Sequence, residues 1–419
     1  MEQNVHIQGF RIKNFKALKN IEMGRLWNSR DKAPLTPLTV LIGKNGTGKS
    51  TVLDAFGFLS DCLKYGVESA CDLQGRGGIE KICSQGQSGP IEFEIYYKES
   101  RNSRPLTYEL AINIDKVGRP YVQRERLRQR RQGQKNGRPF SFLILDQGKG
   151  HVWKGNAVGI QENDSGDNVP IEESNEVDAI ELDDYRHLGI ATLGTLKTHP
   201  RISPFRRFME NWYLSYFIPD AARSLPLAGA QKMLNMHGDN LGNVVQYMER
   251  ENPRKFQEVL KNIAQQIPGI NKIDTAKTPD GRLLLRFNDK GFKEPFYAQQ
   301  MSDGTLKVFA YMLLMASPAV APFICIEEPE NGIYHKLLGI LIENLRNYTS
   351  SFKRNSQIFI TTHQPYLVDM LDPEEVWVLK KGVDGFSTIE RTSEIPYVKE
   401  MVDEGQPLGA LWYSDYLDR

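Results

Sequence analysis

Gly43-Lys44-Asn45-Gly46-Thr47-Gly48-Lys49-Ser50-Thr51 follows directly on the apolar run Leu38-Thr39-Val40-Leu41-Ile42 and leads into Val52-Leu53-Asp54-Ala55-Phe56. The run before it is rich in β-branched residues and reads as a buried strand. Leu59 and Leu63 continue an apolar face after it, so a helix starts here. GxxxxGK[ST] between a strand and a helix is the context of a phosphate-binding loop. Gly43, Gly46 and Gly48 let the backbone curl into a nest of N–H donors, and the helix start adds partial positive charge. Lys49 is expected to reach the β and γ phosphates of ATP, with Asn45 and Thr51 in the same binding set. Ser50 is expected to offer its hydroxyl to Mg²⁺. An ordinary glycine-rich turn needs neither the strand nor the helix and is the weaker reading.

Composition sets the bounds. The 419 residues suffice for two or three domains' worth of core, or for one elaborated α/β unit. Lys and Arg number 53 against 52 Asp and Glu, so only local patches can speak for nucleic acid. Cys62, Cys71, Cys83 and Cys325 show no CxxC spacing, which fits free thiols in a reducing cytoplasm. The N-terminus lacks a secretory pattern. Val308 to Ile326 runs without a charge and imitates a membrane span, but Ser317-Pro318 and Pro322 divide it into a short helix and a strand. No membrane association is expected.

In chain order, Ile7 to Phe15 reads as a first strand and Ile21 to Leu26 as its partner. Ile91 to Tyr97 alternates strictly and reads as a half-exposed antiparallel strand. Leu106 to Ile114, Tyr121-Val122, Phe140 to Leu145 and His151 to Trp153 continue a hairpin series. Two charge blocks interrupt it. Between Arg124 and Arg138 lie seven basic residues and one acid, Glu125. The block reads either as a nucleic-acid backbone contact or as a solvated loop tip or charged strand edge. Gln161 to Tyr185 holds ten acids and no base, which reads as a solvated loop able to fold over the basic block. From His199 to Pro268 the pattern is helical, and no heptad is sustained anywhere in the chain.

Leu283 to Phe287 returns to strand. Met301-Ser302-Asp303-Gly304-Thr305 then precedes a helix over Leu306 to Ala316. Phe323-Ile324-Cys325-Ile326 forms a buried strand that ends in Glu327-Glu328-Pro329-Glu330-Asn331-Gly332, and Gln357 to Ile360 forms another that ends in Thr361-Thr362-His363. Strands that finish in polar residues place them at the carboxyl edge of one parallel sheet, where open α/β folds bind ligands. A carboxylate there can hold Mg²⁺ through water, and the next can polarise the attacking water. Glu327 and Glu328 take these parts, and His363 can hydrogen-bond a γ-phosphate. The bland alternatives are a strand-end salt bridge for Glu328 and a helix-capping role for His363.

GKNGTGKS (43–50), SDGT (302–305), ICIEEPENG (324–332) and ITTHQP (360–365) together resemble the ABC-type ATPase heads of the SMC, RecF and OLD-like branch. The set is most similar to stand-alone bacterial AAA/OLD-like ATPases, several of which belong to phage-defence operons. The resemblance implies an α/β ABC-type P-loop head, with a mixed or parallel sheet core, an antiparallel β layer and an inserted helical region. It places an N-terminal lobe at 1–110, a β insertion at 111–198, a helical insertion at 199–280 and a C-terminal lobe at 281–419. It also implies ATP-dependent homodimerisation, with Gly43 to Ser50 as Walker A, Ser302 and Gly304 as the signature loop, Glu327 and Glu328 as the Walker B end and His363 as the switch histidine. A glutamine, Gln85 or Gln87, would complete the site. Glu327 stands where most such heads have Asp, and Tyr334-His335 where relatives often show His-Pro.

No acidic cluster of the topoisomerase-primase type follows the motifs, and only about 35 residues come after Gly385, so an effector is expected as a separate polypeptide. The leading expectation is a sensor or regulator of phage defence. A RecF-like repair ATPase bound to DNA through Arg124 to Arg138 is the alternative in the same fold. The nucleotide-binding subunit of a transporter is disfavoured by the roughly 250 residues between Walker A and SDGT.

Overall fold

The computed structural model describes residues 6–29, 31–131, 134, 137–154, 160–162, 168–170, 176–226, 229, 231–317, 320–351 and 356–418. They divide into two compact units. Met1–Pro37, Gly43–Trp212 and Trp377–Glu390 form the first; Leu38–Ile42, Tyr213–Val376 and Arg391–Arg419 form the second.

The first unit is built on an eight-stranded sheet. Its order is Val177–Glu181, Lys149–Trp153, Phe140–Asp146, Pro120–Gln129, Leu106–Ile114, Ile91–Tyr97, Ile7–Phe15 and Leu18–Gly24. Neighbours pair antiparallel throughout. The alternation read in Ile91 to Tyr97 has its physical cause on one face: Ile91, Phe93, Ile95 and Tyr97 are all buried. The helix Lys49–Tyr65 covers part of that face, with Phe58 near Phe15 and Phe93, and Phe56 edge-on to Phe10. Such aromatic pairs add about 1 kcal/mol each beyond their buried area.

Three expectations shift. The partner of the first strand is Leu18–Gly24 rather than Ile21 to Leu26, because Asn14 and Lys16 adopt left-handed backbone and turn the chain early. The basic block is only partly a loop: Arg124, Arg126 and Arg128 lie within Pro120–Gln129, an interior strand of the sheet, while Arg130, Arg131 and Arg138 lie in the connection to Phe140–Asp146. The acidic stretch contributes an edge strand, Val177–Glu181, whose Asp178 and Glu181 pair with Lys154 and Lys149 instead of with the arginines. Residues 163–167 and 171–175 of that stretch, and Lys135 of the basic block, lie outside the described residues.

Glu125, on the opposite face of the arginine strand, is fully buried. Its carboxylate accepts the Tyr108 hydroxyl at 3.0 Å, the Ile190 N–H at 3.2 Å and the Gly189 N–H. Burial outweighs these donors and pushes its pKa from 4.5 to about 7. The folded state therefore holds this proton more tightly than the unfolded chain does. The stability it confers is complete below about pH 4.5 and is lost as pH rises through about 7, a change on the order of 3 kcal/mol. Glu125→Gln is expected to flatten the dependence of urea stability on pH across that window. An unaltered slope would assign the dependence to other groups.

The second unit carries three parallel strands. Phe323–Glu327 pairs with Gln357–Thr361, which pairs with Leu38–Ile42; Ile360 stands opposite Ile326 and Val40. All but the last residue, Glu327, are buried, which is why they read as continuous apolar runs. The helices Leu241–Glu251, Pro253–Gln266, Asp303–Ala316 and His335–Ser350 also belong here. The stretch read as helical from His199 contains a short strand, Trp212–Ser215, where bulky β-formers outweigh helix propensity. The uncharged run from Val308 ends its helix at Ala316 and resumes as strand at Phe323. No described helix is long and apolar enough to cross a membrane.

Candidate functional site

In the first unit, Gly43, Gly46 and Gly48 all have positive φ (153°, 77° and 101°). A Cβ at Gly43 would lie 2.5 Å from the Leu379 carbonyl oxygen, and one at Gly48 2.5 Å from the Ser387 hydroxyl. The loop is thus backed by a hairpin far along the chain, and Ser387 donates to the Thr47 carbonyl at 2.6 Å. Sequence reasoning missed Leu379 and Ser387, since only folding brings residues so distant to the loop. Thr47 Oγ1 donates to the Lys44 carbonyl at 2.9 Å, closing the turn.

Lys49 begins the helix and is buried, with Nζ donating to the carbonyls of Gly43 at 2.7 Å and Lys44 at 3.2 Å. Asn45, Gly46 and Ser50 are exposed, and Thr51 is half-buried. The arrangement offers backbone N–H groups, a helix N-terminus and one ammonium to an anion, with a hydroxyl at its edge. Gln85 and Gln87 share one exposed turn before Ile91, and nothing in their placement separates them.

In the second unit, the ends of the parallel strands form the other constellation. Glu327 stands opposite Thr361, which stands opposite Leu41. Glu328, one residue beyond the strand, has φ 41°, a left-handed backbone that a glutamate adopts only when held. Its N–H donates to the Thr361 carbonyl at 3.0 Å, and Lys307 Nζ lies 3.4 Å from its own carbonyl. His363 Nδ1 is 3.1 Å from Glu328 Oε1, and Asn331 Nδ2 donates to Oε2 at 2.8 Å. Glu328 and His363 therefore meet at the end of the strand.

Glu330 and Lys307 were not singled out from sequence. Glu330 is buried; its Oε1 accepts the Thr362 hydroxyl at 2.7 Å and the His363 N–H at 3.1 Å, while Oε2 has no hydrogen-bond partner among the described residues. Burial raises its pKa, opposed by the Thr362 hydroxyl and backbone N–H groups. Lys307 is also buried, which lowers its pKa against the opposing pull of Glu330. A strand-end EEPE pattern signals a third acid, but only the fold shows that it is buried.

Ser302 caps the helix Asp303–Ala316: its Oγ lies 3.3 Å from the Thr305 N–H and 2.8 Å from Thr305 Oγ1. A Cβ at Gly304 would be 2.4 Å from the Gly332 carbonyl oxygen, so the loop that follows Phe323–Glu327 approaches the start of the helix Asp303–Ala316 through the missing side chain. This places Ser302 and Gly304 in the same unit as Glu328 and His363.

The arginines of the first unit line a cavity of about 360 Å³ with Trp27, Glu92, Glu94 and Glu109. Arg126 and Arg128 both pair with Glu109, Arg11 pairs with Glu94, and Arg124 with Asp146. Arg128 also lies over the Trp27 ring at 4.6 Å. Cross-strand carboxylates thus pair the strand arginines Arg124, Arg126 and Arg128. Reversing Arg126 or Arg128 would strand Glu109 and confound any binding test. Reversal of the exposed Arg131 and Arg138 to Glu is expected to leave nucleic-acid binding, if the wild type shows any at low salt, unchanged. A uniform loss with a shallower salt slope would reinstate a backbone contact.

A strand, phosphate loop and helix, joined to parallel strands that end in paired acids and a histidine, define a P-loop ATPase with an ABC-type α/β head. The chain belongs to the family described as "AAA domain, putative AbiEii toxin, Type IV TA system", whose match spans residues 38–369. It is a nucleotide-binding ATPase of that family. Among solved structures, an SMC head bound to the C-terminal winged-helix domain of ScpA aligns over 92% of this chain and 98% of its own, with 14% identity and a TM-score of 0.51. At that identity the likeness concerns the fold. An SMC head with an extended coiled coil from Pyrococcus furiosus, bound to the C-terminal domain of ScpA, aligns over 95% and 99%, with 12% identity and a TM-score of 0.47. No curated protein matches the sequence.

Proposed function

We propose that this ATPase binds ATP·Mg²⁺ between two copies of the chain and uses closure and hydrolysis to regulate a separate effector protein, as a sensor or regulator of anti-phage defence. The observation that carries the reading is the pairing of Glu328 with His363 at the carboxyl edge of the parallel sheet, in the same unit as Ser302 and Gly304. The family description, with its abortive-infection and toxin–antitoxin terms, supports the defence role.

Each residue then has a part. Lys49 rests on loop carbonyls and would exchange them for the β and γ phosphates, while Gly43, Asn45, Gly46, Gly48 and Thr51 shape the cradle. Ser50 and Glu327 would hold Mg²⁺. The described residues contain no cluster of three or more acidic, histidine or cysteine ligands, and one hydroxyl with one carboxylate suits an ion that keeps water and phosphate oxygens as its remaining ligands. When bound, it would neutralise phosphate charge. Glu328 orients the attacking water and accepts its proton, and His363 holds the Glu328 carboxylate until the γ-phosphate competes for it. Ser302 and Gly304 close over the γ-phosphate of the ATP held by the second copy.

Light scattering during size exclusion tests the assembly. A monomer without nucleotide is expected to become a dimer or higher homo-oligomer with ATP. A chain that hydrolyses ATP while remaining monomeric in every nucleotide state would overturn the shared site. For the defence role, coexpression with the product of the adjacent gene and phage challenge is expected to give protection that depends on Lys49. The DNA-repair alternative gains no support from Arg124, Arg126 and Arg128, which are already paired with carboxylates.

A further inference from the structure

The signature loop of this chain carries an acid where an anion is meant to arrive. Asp303 opens the helix Asp303–Ala316, between Ser302 and Gly304, and its side chain is 57% exposed. A carboxylate at this end favours the helix itself, but it repels a phosphate that must approach the same N-terminus. Arg223 is the cation that hydrogen-bonds it. Arg223, just after the short helix Pro219–Ala222, donates through Nη2 to Asp303 Oδ1 and to the Met301 carbonyl at 2.8 Å. Nη1 donates to Asp220, and Gln299 Nε2 donates to the Arg223 carbonyl at 2.9 Å, tying both segments together. The guanidinium thus spans the residues on either side of Ser302 and places positive charge beside Asp303.

We propose that Arg223 is a positioning residue that makes the acidic signature loop acceptable to ATP, cancelling Asp303 and fixing the Met301–Asp303 backbone so that Ser302 and Gly304 can close over the γ-phosphate held by the partner copy. This rests on the assignment of Ser302 and Gly304 given above. A purely mechanical clamp would share the contacts but not the charge dependence. The fork matters as well as the charge, because one guanidinium reaches a carboxylate and a carbonyl together, which an ammonium does less well.

The test is a charge rescue. Arg223→Ala is expected to lower kcat/KM for ATP by about tenfold or more, while binding of a fluorescent ATP analogue to the separate chain, which needs only the phosphate loop, stays close to wild type. Arg223→Lys should recover part of the loss. Asp303→Asn placed on Arg223→Ala should restore turnover to within about threefold of the Asp303→Asn single variant, since the acid at the helix start that Arg223 offsets is then gone. Thermal melts of all four variants separate folding from function: a lowered melting temperature shared by Arg223→Ala and the double variant, with activity regained only in the double, still supports charge cancellation. A double variant no more active than Arg223→Ala, or an Arg223→Ala chain as active as wild type, overturns the proposal.

Mixing distinguishes its failure from that of the shared site. Arg223→Ala should regain activity with Lys49→Ala and not with Ser302→Arg, because Arg223 acts from the signature side. The opposite pattern overturns trans action by Arg223. If Lys49→Ala and Ser302→Arg themselves fail to complement, what has failed is the shared site or the independent firing of its two copies, and the charge rescue still decides the role of Arg223.

Discussion

Glu328→Gln is expected to lower ATP turnover at least about a hundredfold while ATP binding persists and the ATP-bound assembly accumulates. The amide keeps the shape and the volume of the side chain, but it cannot take the proton of an attacking water. Its surroundings sharpen the expectation. Glu328 is held in left-handed backbone by the Thr361 carbonyl on one side and Lys307 on the other, and its carboxylate is aimed by His363 and Asn331. The backbone contacts survive the substitution, so the variant should fold and bind as the wild type does. Single-turnover hydrolysis and nucleotide binding, measured on the same preparation, check this directly. Equal losses in both would make Glu328 a structural residue, the end of a strand tied by an ion pair.

How much of this was legible beforehand differs between residues for physical reasons. The phosphate loop was readable because its chemistry is local: three glycines, a lysine and a hydroxyl act through the backbone that joins them, and the flanking strand and helix are contiguous with it. Glu327, Glu328 and His363 were readable through a fold rule, since parallel strands bring their carboxyl ends to one edge. Glu330 and Lys307 were not, because inward-facing charge depends on which groups pack against it, and those lie on separate elements. The same limit hid Ser387 and Leu379 behind the loop and Arg223 beside Asp303. The arginine block failed differently. Counting charge along the chain cannot show that arginines of a strand stand opposite carboxylates of its neighbours, as Arg126 stands opposite Glu109 and Arg124 opposite Asp146. Glu125, counted as a lone acid among bases, faces the other way and is buried. Period two separates these neighbours more sharply than sequence proximity joins them.

The proposed shared site predicts that two inactive chains can repair each other. Lys49→Ala removes the ammonium that the loop keeps at its centre, and hydrolysis by this variant should be abolished without unfolding, since Lys49 contributes charge to phosphate rather than apolar surface to the core. Ser302→Arg leaves the phosphate loop intact and blocks the start of the signature helix, where the wild-type hydroxyl caps Thr305 and a bulky side chain would stand in the way of the γ-phosphate. Each homodimer then has two broken sites. A mixed dimer has one site that pairs the intact phosphate loop of the Ser302→Arg chain with the intact signature of the Lys49→Ala chain, and one doubly broken site. If half of the dimers are mixed and the sites fire independently, activity should return to about a quarter of wild type. Varying the ratio of the two variants at constant total concentration should give a maximum near equal proportions, because mixed dimers are most abundant there. Absence of recovery has two causes that size exclusion with ATP separates. A mixture that still dimerises requires both sites to fire together, whereas a mixture and wild type that stay monomeric while the wild type hydrolyses ATP put the complete site within a single chain.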